Sequence, residues 1–181
     1  MIKISEYPLE TKRLILRSWQ EHDVDDFFEY ASVEGVGEMA GWPHHVDIDT
    51  SKMVLKSFIL DDNVYAIVEK SSNKVIGSFG IHQSWTSKDQ RYDGLKIMEI
   101  GYVLAKSHWG NGFIPEAIEE VIRTCFDEWD LDAVSVSHFD GNEQSKRVIE
   151  KSGFKYIDST DAVLEQLDHK KVILHRYLMH K

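Results

Sequence analysis

The chain has 181 residues, 42% of them hydrophobic and 29% charged, and a formal net charge of −10 at pH 7. This size and composition predict a single globular domain over residues 1–181, and the acidic charge makes nucleic acid a poor candidate partner. No apolar run approaches the roughly 20 residues that span a bilayer, and the first ten residues lack the apolar segment of a signal peptide. We therefore expect a cytoplasmic protein that has no membrane partner.

The first half of the chain alternates predicted strands and helices. In order, they are a strand at 11–19, a helix at 24–31, a loop or broken helix at 32–42, a helix that begins at Asp49 or Thr50, and strands at 64–68 and 75–81. Ser71, Ser72 and Asn73 separate the last two strands and predict a hairpin turn. A polar loop at 84–95 then leads into the centre of the chain.

Residues 99–117 contain the most informative stretch of the sequence. A strand rich in Ile, Tyr, Val and Leu runs into a polar loop that ends in Gly110, Asn111 and Gly112, and apolar residues then recur with helical spacing. The first N–H groups of a helix are unpaired and carry partial positive charge, and glycine lets an anion approach the backbone closely. The pattern predicts a phosphate or pyrophosphate site, although an ordinary strand-to-helix turn has the same signature. The single cysteine, Cys125, lies on the apolar side of this helix and is interpreted as a core residue in a reducing compartment.

The last third adds more strands and a short helix. A strand at 133–137, a helix at 143–152 with Gly153 as its C-terminal cap, and antiparallel strands at 154–157 and 172–179 are predicted. Because strands and helices alternate irregularly and a hairpin precedes the central strand, the order favours an α+β fold with a mixed, mostly antiparallel sheet.

The sequence contains no arrangement that is typical of metal sites or hydrolases. The nine histidines include no HxxxH spacing, and no CxxC or GxSxG motif occurs. We therefore expect neither a metal nor a nucleophilic serine or cysteine.

Several short stretches form a recognisable series. They are TKRLILR at 11–17, GWP at 41–43, VIGS at 75–78, EIGY at 99–102, WGNGF at 109–113 with EA at 116–117, then Asn142, Ser145, Arg147 and Val148, and EKSGF at 150–154. In this order they resemble the GNAT superfamily of acetyl-CoA-dependent N-acetyltransferases, and within it the RimJ/RimL branch. The resemblance spans nearly the whole chain.

The resemblance implies the acyl-CoA N-acyltransferase fold. This is a sheet of six or seven strands flanked by helices, in which strands four (96–105) and five (133–138) run parallel and splay apart to admit acetyl-CoA. The residues that it implies for acetyl-CoA are the backbone of Val103 and Leu104, the loop residues Trp109, Gly110, Asn111, Gly112 and Phe113, and the side chain of Asn142. The Leu104 N–H is the expected donor to the acetyl oxygen.

Two side chains are candidates for catalysis. Glu99 is a carboxylate in an otherwise apolar strand, which favours a general base, although an ion pair at the edge of a pocket is the alternative. The resemblance places Ser145 near the sulfur as a candidate acid. Many relatives have a tyrosine in the helix after strand five that protonates the thiolate, but here that position is Ile149.

The acceptor is the least defined part of the prediction. Trp42, His82 and Trp85 are candidates to line its side of the site. We expect the acceptor to be a primary amine, either a protein N-terminal amine or a small amine, and the protein to be a monomer or a homodimer. Two other interpretations remain, a non-catalytic acyl-CoA-binding or regulatory module and a nucleotide-binding protein that uses the glycine loop.

Overall fold

The computed structural model describes residues 2–181, which form eight strands and four α-helices. The strands are β1 Leu9–Glu10, β2 Leu14–Arg17, β3 Val64–Glu69, β4 Lys74–Gln83, β5 Ile97–Leu104, β6 Ala133–Phe139, β7 Lys155–Leu164 and β8 Lys170–His180. The helices are α1 Val24–Ala31, α2 Ile48–Asp61, α3 Phe113–Asp127 and α4 Glu143–Lys151.

The strands form one sheet in the order β1-β2-β3-β4-β5-β6-β8-β7. Within residues 2–181, β5 and β6 are the one parallel pair and all the other neighbours are antiparallel. The mixed, mostly antiparallel α+β architecture is therefore confirmed. The predicted count of six or seven strands is wrong, because β1 adds an eighth strand whose two residues are too few to show an alternating pattern.

Helices cover both faces of the sheet. On one face, α3 buries an apolar stripe that includes Ala117 and Val121 against the sheet, where its neighbours are β1, β2 and β6, and α4 adds the fully buried Ile149. On the other face, Phe27 of α1 and Leu55 of α2 pack with β3 and β4. Because side chains alternate along a strand, β5 supplies groups to both layers.

Several element boundaries differ from the predictions. The first strand, predicted at 11–19, covers only Leu14–Arg17, the residues that pair with β3. Helix α2 is capped by Asp47, whose carboxylate accepts the Thr50 N–H at 2.7 Å, and not by Asp49 or Thr50. Strand β7 continues to Leu164 instead of ending at residue 157, because antiparallel pairing with β8 extends it through the polar residues 158–161, which have no apolar pattern. None of the helices in residues 2–181 has both the length and the apolar character that a membrane crossing requires.

Candidate active site

Strands β5 and β6 pair along only part of their length. Their parallel register runs from Ile97 opposite Ala133 to Ile100 opposite Val136. Strand β5 then continues to Leu104 without a partner on that side, while β6 continues to Phe139 paired with β8. The two central strands therefore part after Ile100 and leave a gap in the sheet, as the resemblance implied.

The pairing of β5 with β4 decides which backbone groups face this gap. The Ala105 N–H donates to Ile76 O at 2.7 Å, and residues of an antiparallel strand alternate between groups directed toward and away from the partner. The backbone groups of Val103 are accordingly directed toward β4, whereas those of Tyr102 and Leu104 are directed into the gap. Of these Leu104 groups, the carbonyl already accepts a hydrogen bond from the Trp109 indole N–H at 2.8 Å. The Leu104 N–H is the other group that faces the gap.

A cavity of about 1050 Å³ occupies the gap and continues to the glycine loop and α4. It brings together most of the residues that the sequence singled out: His82, Glu99, Val103, Leu104, Trp109, Gly110, Gly112, Phe113, Asn142 and Ser145. This volume is at the upper end of the usual range for small-molecule sites.

Three predicted residues lie elsewhere. Asn111 is exposed in the glycine loop, and its carbonyl accepts a hydrogen bond from Arg13 at 2.9 Å. The Trp42 ring packs over Gly37 and beside His45, at 5.2 Å between ring centroids, so it supports the loop at 32–47. Trp85 borders a second cavity.

The glycine loop has the features of an anion site. Gly110 and Gly112 have φ values of 78° and 75°, which favour glycine, and a Cβ on Gly110 would meet no atom within 4 Å. Among residues 2–181 we find no acceptor for the N–H groups of Gly110, Asn111 or Gly112, and they precede the N-terminus of α3. Arg147 and Lys151 of α4 line the same cavity and add positive charge.

Two residues just before strand β2, Thr11 and Arg13, hold this loop in position. Glu116, in the first turn of α3, accepts hydrogen bonds from Thr11 Oγ1 at 2.6 Å, from Arg13 N at 2.8 Å and from Arg13 Nε at 2.7 Å. The Arg13 guanidinium also lies 4.3 Å from the centre of the Phe113 ring. Burial tends to raise the pKa of Glu116, but the bonds from Thr11 and Arg13 outweigh it and lower that pKa.

Glu99 lies where the two strands part. One carboxylate oxygen accepts the Ser137 hydroxyl at 2.8 Å, and the other accepts the Trp85 backbone N–H at 3.3 Å. Burial raises the pKa of Glu99, although these two bonds and the charge of Arg176 oppose the shift. His82, opposite Glu99 on β4, folds its ring over Gly80 and toward Gly101.

The other face of the gap carries a pair of hydroxyl groups. Asn142 caps α4 by accepting the Ser145 N–H at 3.1 Å, which orients the first turn of that helix. The Ser145 hydroxyl lies 3.0 Å from the Tyr102 hydroxyl. Sequence reasoning missed Tyr102 because it was counted as an apolar strand residue. Its position three residues after Glu99, which places it on the opposite face of the same strand, is the signal that was available.

A second cavity of about 770 Å³ also reaches Glu99. It is bordered by the loop at 83–91 and by Arg176, whose guanidinium lies 4.3 Å from the centre of the Trp85 ring. Arg176 is held by two hydrogen bonds to Asp158, at 2.6 and 2.7 Å. Glu99 therefore lies at the meeting point of two cavities.

Within residues 2–181, no group of three or more His, Cys, Asp or Glu side chains is placed to hold a metal ion.

Comparison with known proteins identifies this arrangement. The sequence model of a family described as "Acetyltransferase (GNAT) domain" matches residues 13–155. The chain belongs to the GNAT acetyltransferase family. The matched residues include both splayed strands, the glycine loop and α4.

Individual GNAT proteins resemble the chain over most of its length. A Bacillus subtilis protein described as the uncharacterized N-acetyltransferase YoaA is 29% identical over 152 residues, which cover 81% of this chain and 82% of YoaA. A Vibrio cholerae structure described as a "putative ribosomal-protein-serine acetyltransferase" has a TM-score of 0.78 at 13% identity and covers 99% of this chain and 100% of its own. The microcin C7 self-immunity acetyltransferase MccE, solved in complex with acetyl-CoA and AMP, has a TM-score of 0.77 at 16% identity and covers 94% and 93%. At these identities, the two structures show a shared fold.

Proposed function

We propose that the protein transfers the acetyl group of acetyl-CoA to a primary amine by direct attack within a ternary complex. One observation carries the proposal: the gap between β5 and β6 has an anion-binding glycine loop at one end and a buried carboxylate, Glu99, at the point where the strands part. A cofactor that carries a pyrophosphate and a reactive thioester matches that combination.

The residues present fit acetyl-CoA. The free N–H groups of Gly110 to Gly112 and the charges of Arg147 and Lys151 would hold its phosphates. The Asn142 side chain accepts the Ser145 N–H, and its amide nitrogen, which donates to the Met39 carbonyl at 3.4 Å, retains a second N–H for the pantetheine arm. When bound, acetyl-CoA would supply a thioester whose carbonyl carbon is open to attack by an amine.

The pantetheine arm would form hydrogen bonds with the backbone of β5, in the way that an additional β-strand would. The register favours Tyr102 and Leu104 as the contacts in place of Val103, whose backbone groups are directed toward β4. The Leu104 N–H is then the group available to stabilise negative charge on the acetyl oxygen, because the Leu104 carbonyl is already bonded to Trp109.

Glu99 would act as the general base, directly or through a water molecule. An amine attacks only in its neutral form, so a carboxylate that accepts its proton promotes the reaction. Burial raises the pKa of Glu99 and makes it a better proton acceptor than an exposed glutamate. Because side chains alternate along a strand, Glu99 would meet the amine from the face of β5 opposite Tyr102.

We propose a protein N-terminal amine, as in the RimJ/RimL branch, as the acceptor. The second cavity reaches Glu99 from outside the acetyl-CoA cavity, and several of its residues, among them Gln83, Lys88 and Gln90, are exposed, so an extended peptide has room to approach. An α-amino group has a pKa of about 8, against about 10.4 for a lysine side chain, so a weak base suffices near neutral pH.

A thiol-release assay with acetyl-CoA tests the proposal. The panel contains peptides with free N-termini, the same peptides with blocked N-termini, a polyamine and an aminoglycoside. We expect turnover with free N-terminal peptides and none with the blocked peptides. Turnover with small amines alone would overturn the choice of acceptor and keep the acetyltransferase.

Binding measurements separate the remaining interpretations. Acetyl-CoA binding by calorimetry without turnover of any amine would favour a non-catalytic acyl-CoA-binding module. Displacement of CoA by ATP with comparable affinity would favour a nucleotide-binding protein. Absence of acetyl-CoA binding would contradict the proposal as a whole.

A further inference from the structure

The contact between Tyr102 and Ser145 has no assigned role in the reaction proposed above. The two hydroxyl oxygens lie 3.0 Å apart, one on β5 beyond the last rung that it shares with β6 and the other in the first turn of α4. Both residues line the large cavity, on the face of the sheet opposite Glu99. This is the side on which the glycine loop and α4 would hold acetyl-CoA.

The position where many family members carry a tyrosine does not serve this purpose here. Ile149 has a fully buried side chain packed in the core between α4 and the sheet. The hydroxyl groups of Ser145 and Tyr102 are therefore the candidates in this part of the cavity to face a sulfur atom.

A serine hydroxyl in the first turn of a helix can donate its proton to more than one acceptor. It rotates freely and commonly donates to a carbonyl of the preceding turn, which directs its proton away from the cavity. A partner that donates to the serine oxygen occupies one lone pair and leaves the serine proton available for another acceptor. Tyr102 is placed to be that donor.

The Tyr102 phenol is in the protonation state that a hydrogen-bond donor requires. Burial raises the pKa of Tyr102 to about 12, although its bond with Ser145 acts in the opposite direction. The phenol therefore keeps its proton over the whole neutral range and donates it in a hydrogen bond.

We propose that Tyr102 is a positioning residue that donates to Ser145 and directs the Ser145 hydroxyl at the departing sulfur. This inference rests on the proposed function. As the carbon–sulfur bond breaks, its electron pair remains on sulfur, and the Ser145 O–H stabilises the thiolate by a hydrogen bond without giving up its proton. Glu99 passes the amine proton to solvent, and the thiolate later takes a proton from solvent, so that amine and thioester yield amide and thiol.

Titration of bound CoA tests the hydrogen bond without turnover. The thiolate of CoA absorbs in the ultraviolet, and the complex with a CoA analogue that lacks sulfur supplies the background. Cys125 does not interfere, because burial raises the pKa of its thiol to about 12. A donor to the charged form lowers a pKa, so we expect the pKa of the bound CoA thiol to rise by roughly one unit in both Tyr102→Phe and Ser145→Ala.

Kinetics provide the second measurement. We expect kcat to fall about tenfold in Tyr102→Phe and about hundredfold in Ser145→Ala, since the loss of one donor to a developing charge typically has an effect of this size. Because Tyr102 acts through Ser145, the double variant is expected to be no slower than Ser145→Ala. The affinity for CoA is expected to change less than about twofold in Tyr102→Phe.

Tyr65→Phe is the matched control. Tyr65 is a fully buried tyrosine on β3 whose hydroxyl makes one hydrogen bond, to the Tyr7 carbonyl at 2.9 Å. It is expected to leave both the thiol pKa and kcat unchanged. Thermal melts of all the variants identify any loss of folding, and Ser145→Ala tests the same bond from its other partner.

Several outcomes would overturn the proposal. They are a wild-type kcat in Tyr102→Phe, an unchanged thiol pKa in either variant, or multiplicative effects in the double variant. Absence of turnover by the wild-type protein would instead contradict the proposed function, and the CoA titration would still decide whether the hydrogen bond exists.

Discussion

The Ser137 hydroxyl donates to the Glu99 carboxylate at 2.8 Å across the point where β5 and β6 separate. Ser137 is the first residue of β6 beyond the last rung shared with β5. The bond therefore links the two strands at the base of the gap and orients the proposed base at the same time. Loss of this hydrogen bond is expected to change the pKa of Glu99 more than it changes the positions of the two strands.

The first prediction concerns Ser137→Ala. The hydrogen bond from Ser137 lowers the pKa of Glu99 against the effect of burial, so its removal is expected to raise that pKa further. Because Glu99 acts as a base only when it is ionised, the acid limb of the kcat/KM profile is expected to move to higher pH, by roughly one unit. Initial rates measured over the pH range test this shift, and the two proteins are expected to converge at high pH.

Ser135→Ala is the control for this experiment. Ser135 is also buried on β6, but its hydroxyl contacts the Ser84 hydroxyl at 2.8 Å and not Glu99. We expect no displacement of its acid limb. An equal displacement in both variants would mean that general loosening of β6, and not the bond to Glu99, sets the pH dependence.

The second prediction is that Glu99→Gln stabilises the protein and inactivates it. The folded protein holds a proton on Glu99 to a higher pH than the unfolded chain does, so ionisation above that pKa costs stability. Glutamine removes the charge, accepts from the Trp85 N–H and donates to the Ser137 oxygen. At pH 8 we expect a gain on the order of 1 kcal/mol, or about 2–4 °C in Tm, and at pH 4 no gain.

Glu99→Gln is expected to lower the activity of the protein although it raises its stability. Loss of a general base typically reduces the rate by at least about hundredfold. Thermal melts at the two pH values and the thiol-release assay provide the two measurements. Unchanged turnover in Glu99→Gln would remove Glu99 as the base, whatever the melts show.

Local patterns predicted most of the elements, because each strand and helix has its own periodicity. The helix at α3 and its buried Cys125 follow from apolar spacing, and the hairpin of β3 and β4 follows from its turn residues. What the patterns lack is information on pairing. The two-residue strand β1 exists only because β2 pairs with it.

In the candidate site, too, local patterns predicted some features and tertiary contacts determine the others. The residue types of the glycine loop indicate an anion site, because the chemistry lies in consecutive residues. The direction of the Val103 backbone depends on the register with β4, and the partners of Glu99 come from a distant strand and loop. Trp42 is a candidate for the acceptor side because GWP at 41–43 resembles the acceptor-side loop of the family, and only the tertiary structure shows that its ring packs over Gly37. These features follow from tertiary contacts and not from local sequence.

The third prediction concerns the contacts that hold the glycine loop. Glu116→Gln replaces a carboxylate that accepts three hydrogen bonds, and its amide nitrogen would face donors of Thr11 and Arg13. We expect about 1–3 kcal/mol of lost stability and roughly tenfold weaker CoA binding, measured by denaturant unfolding and calorimetry. Because the pKa of Glu116 is lowered in the folded protein, the stability difference is expected to shrink as the pH falls below about 4.3.

Glu120→Gln is the matched control on the same helix. Glu120 pairs with Arg123, whose side chain is half exposed, and such surface pairs contribute little. We expect a stability change within about 0.5 kcal/mol and no change in CoA affinity. Equal losses in both variants would show that the charge of α3, and not the contact with Arg13, supports the loop.

The fourth prediction separates backbone strain from anion binding at Gly110. Gly110→Ala places a side chain at φ 78°, which costs about 1–2 kcal/mol, and puts a methyl group where a phosphate would approach the N–H groups. Gly94→Ala imposes the same strain at φ 83°, with no atom within 4 Å of the new Cβ, on a residue that borders neither cavity described here. Both variants are expected to lose similar stability in thermal melts, but only Gly110→Ala is expected to weaken CoA binding, by about tenfold or more in calorimetry. Equal CoA affinities in the two variants would mean that the phosphates do not bind at this loop, because the strain would be matched and the obstruction would have had no effect.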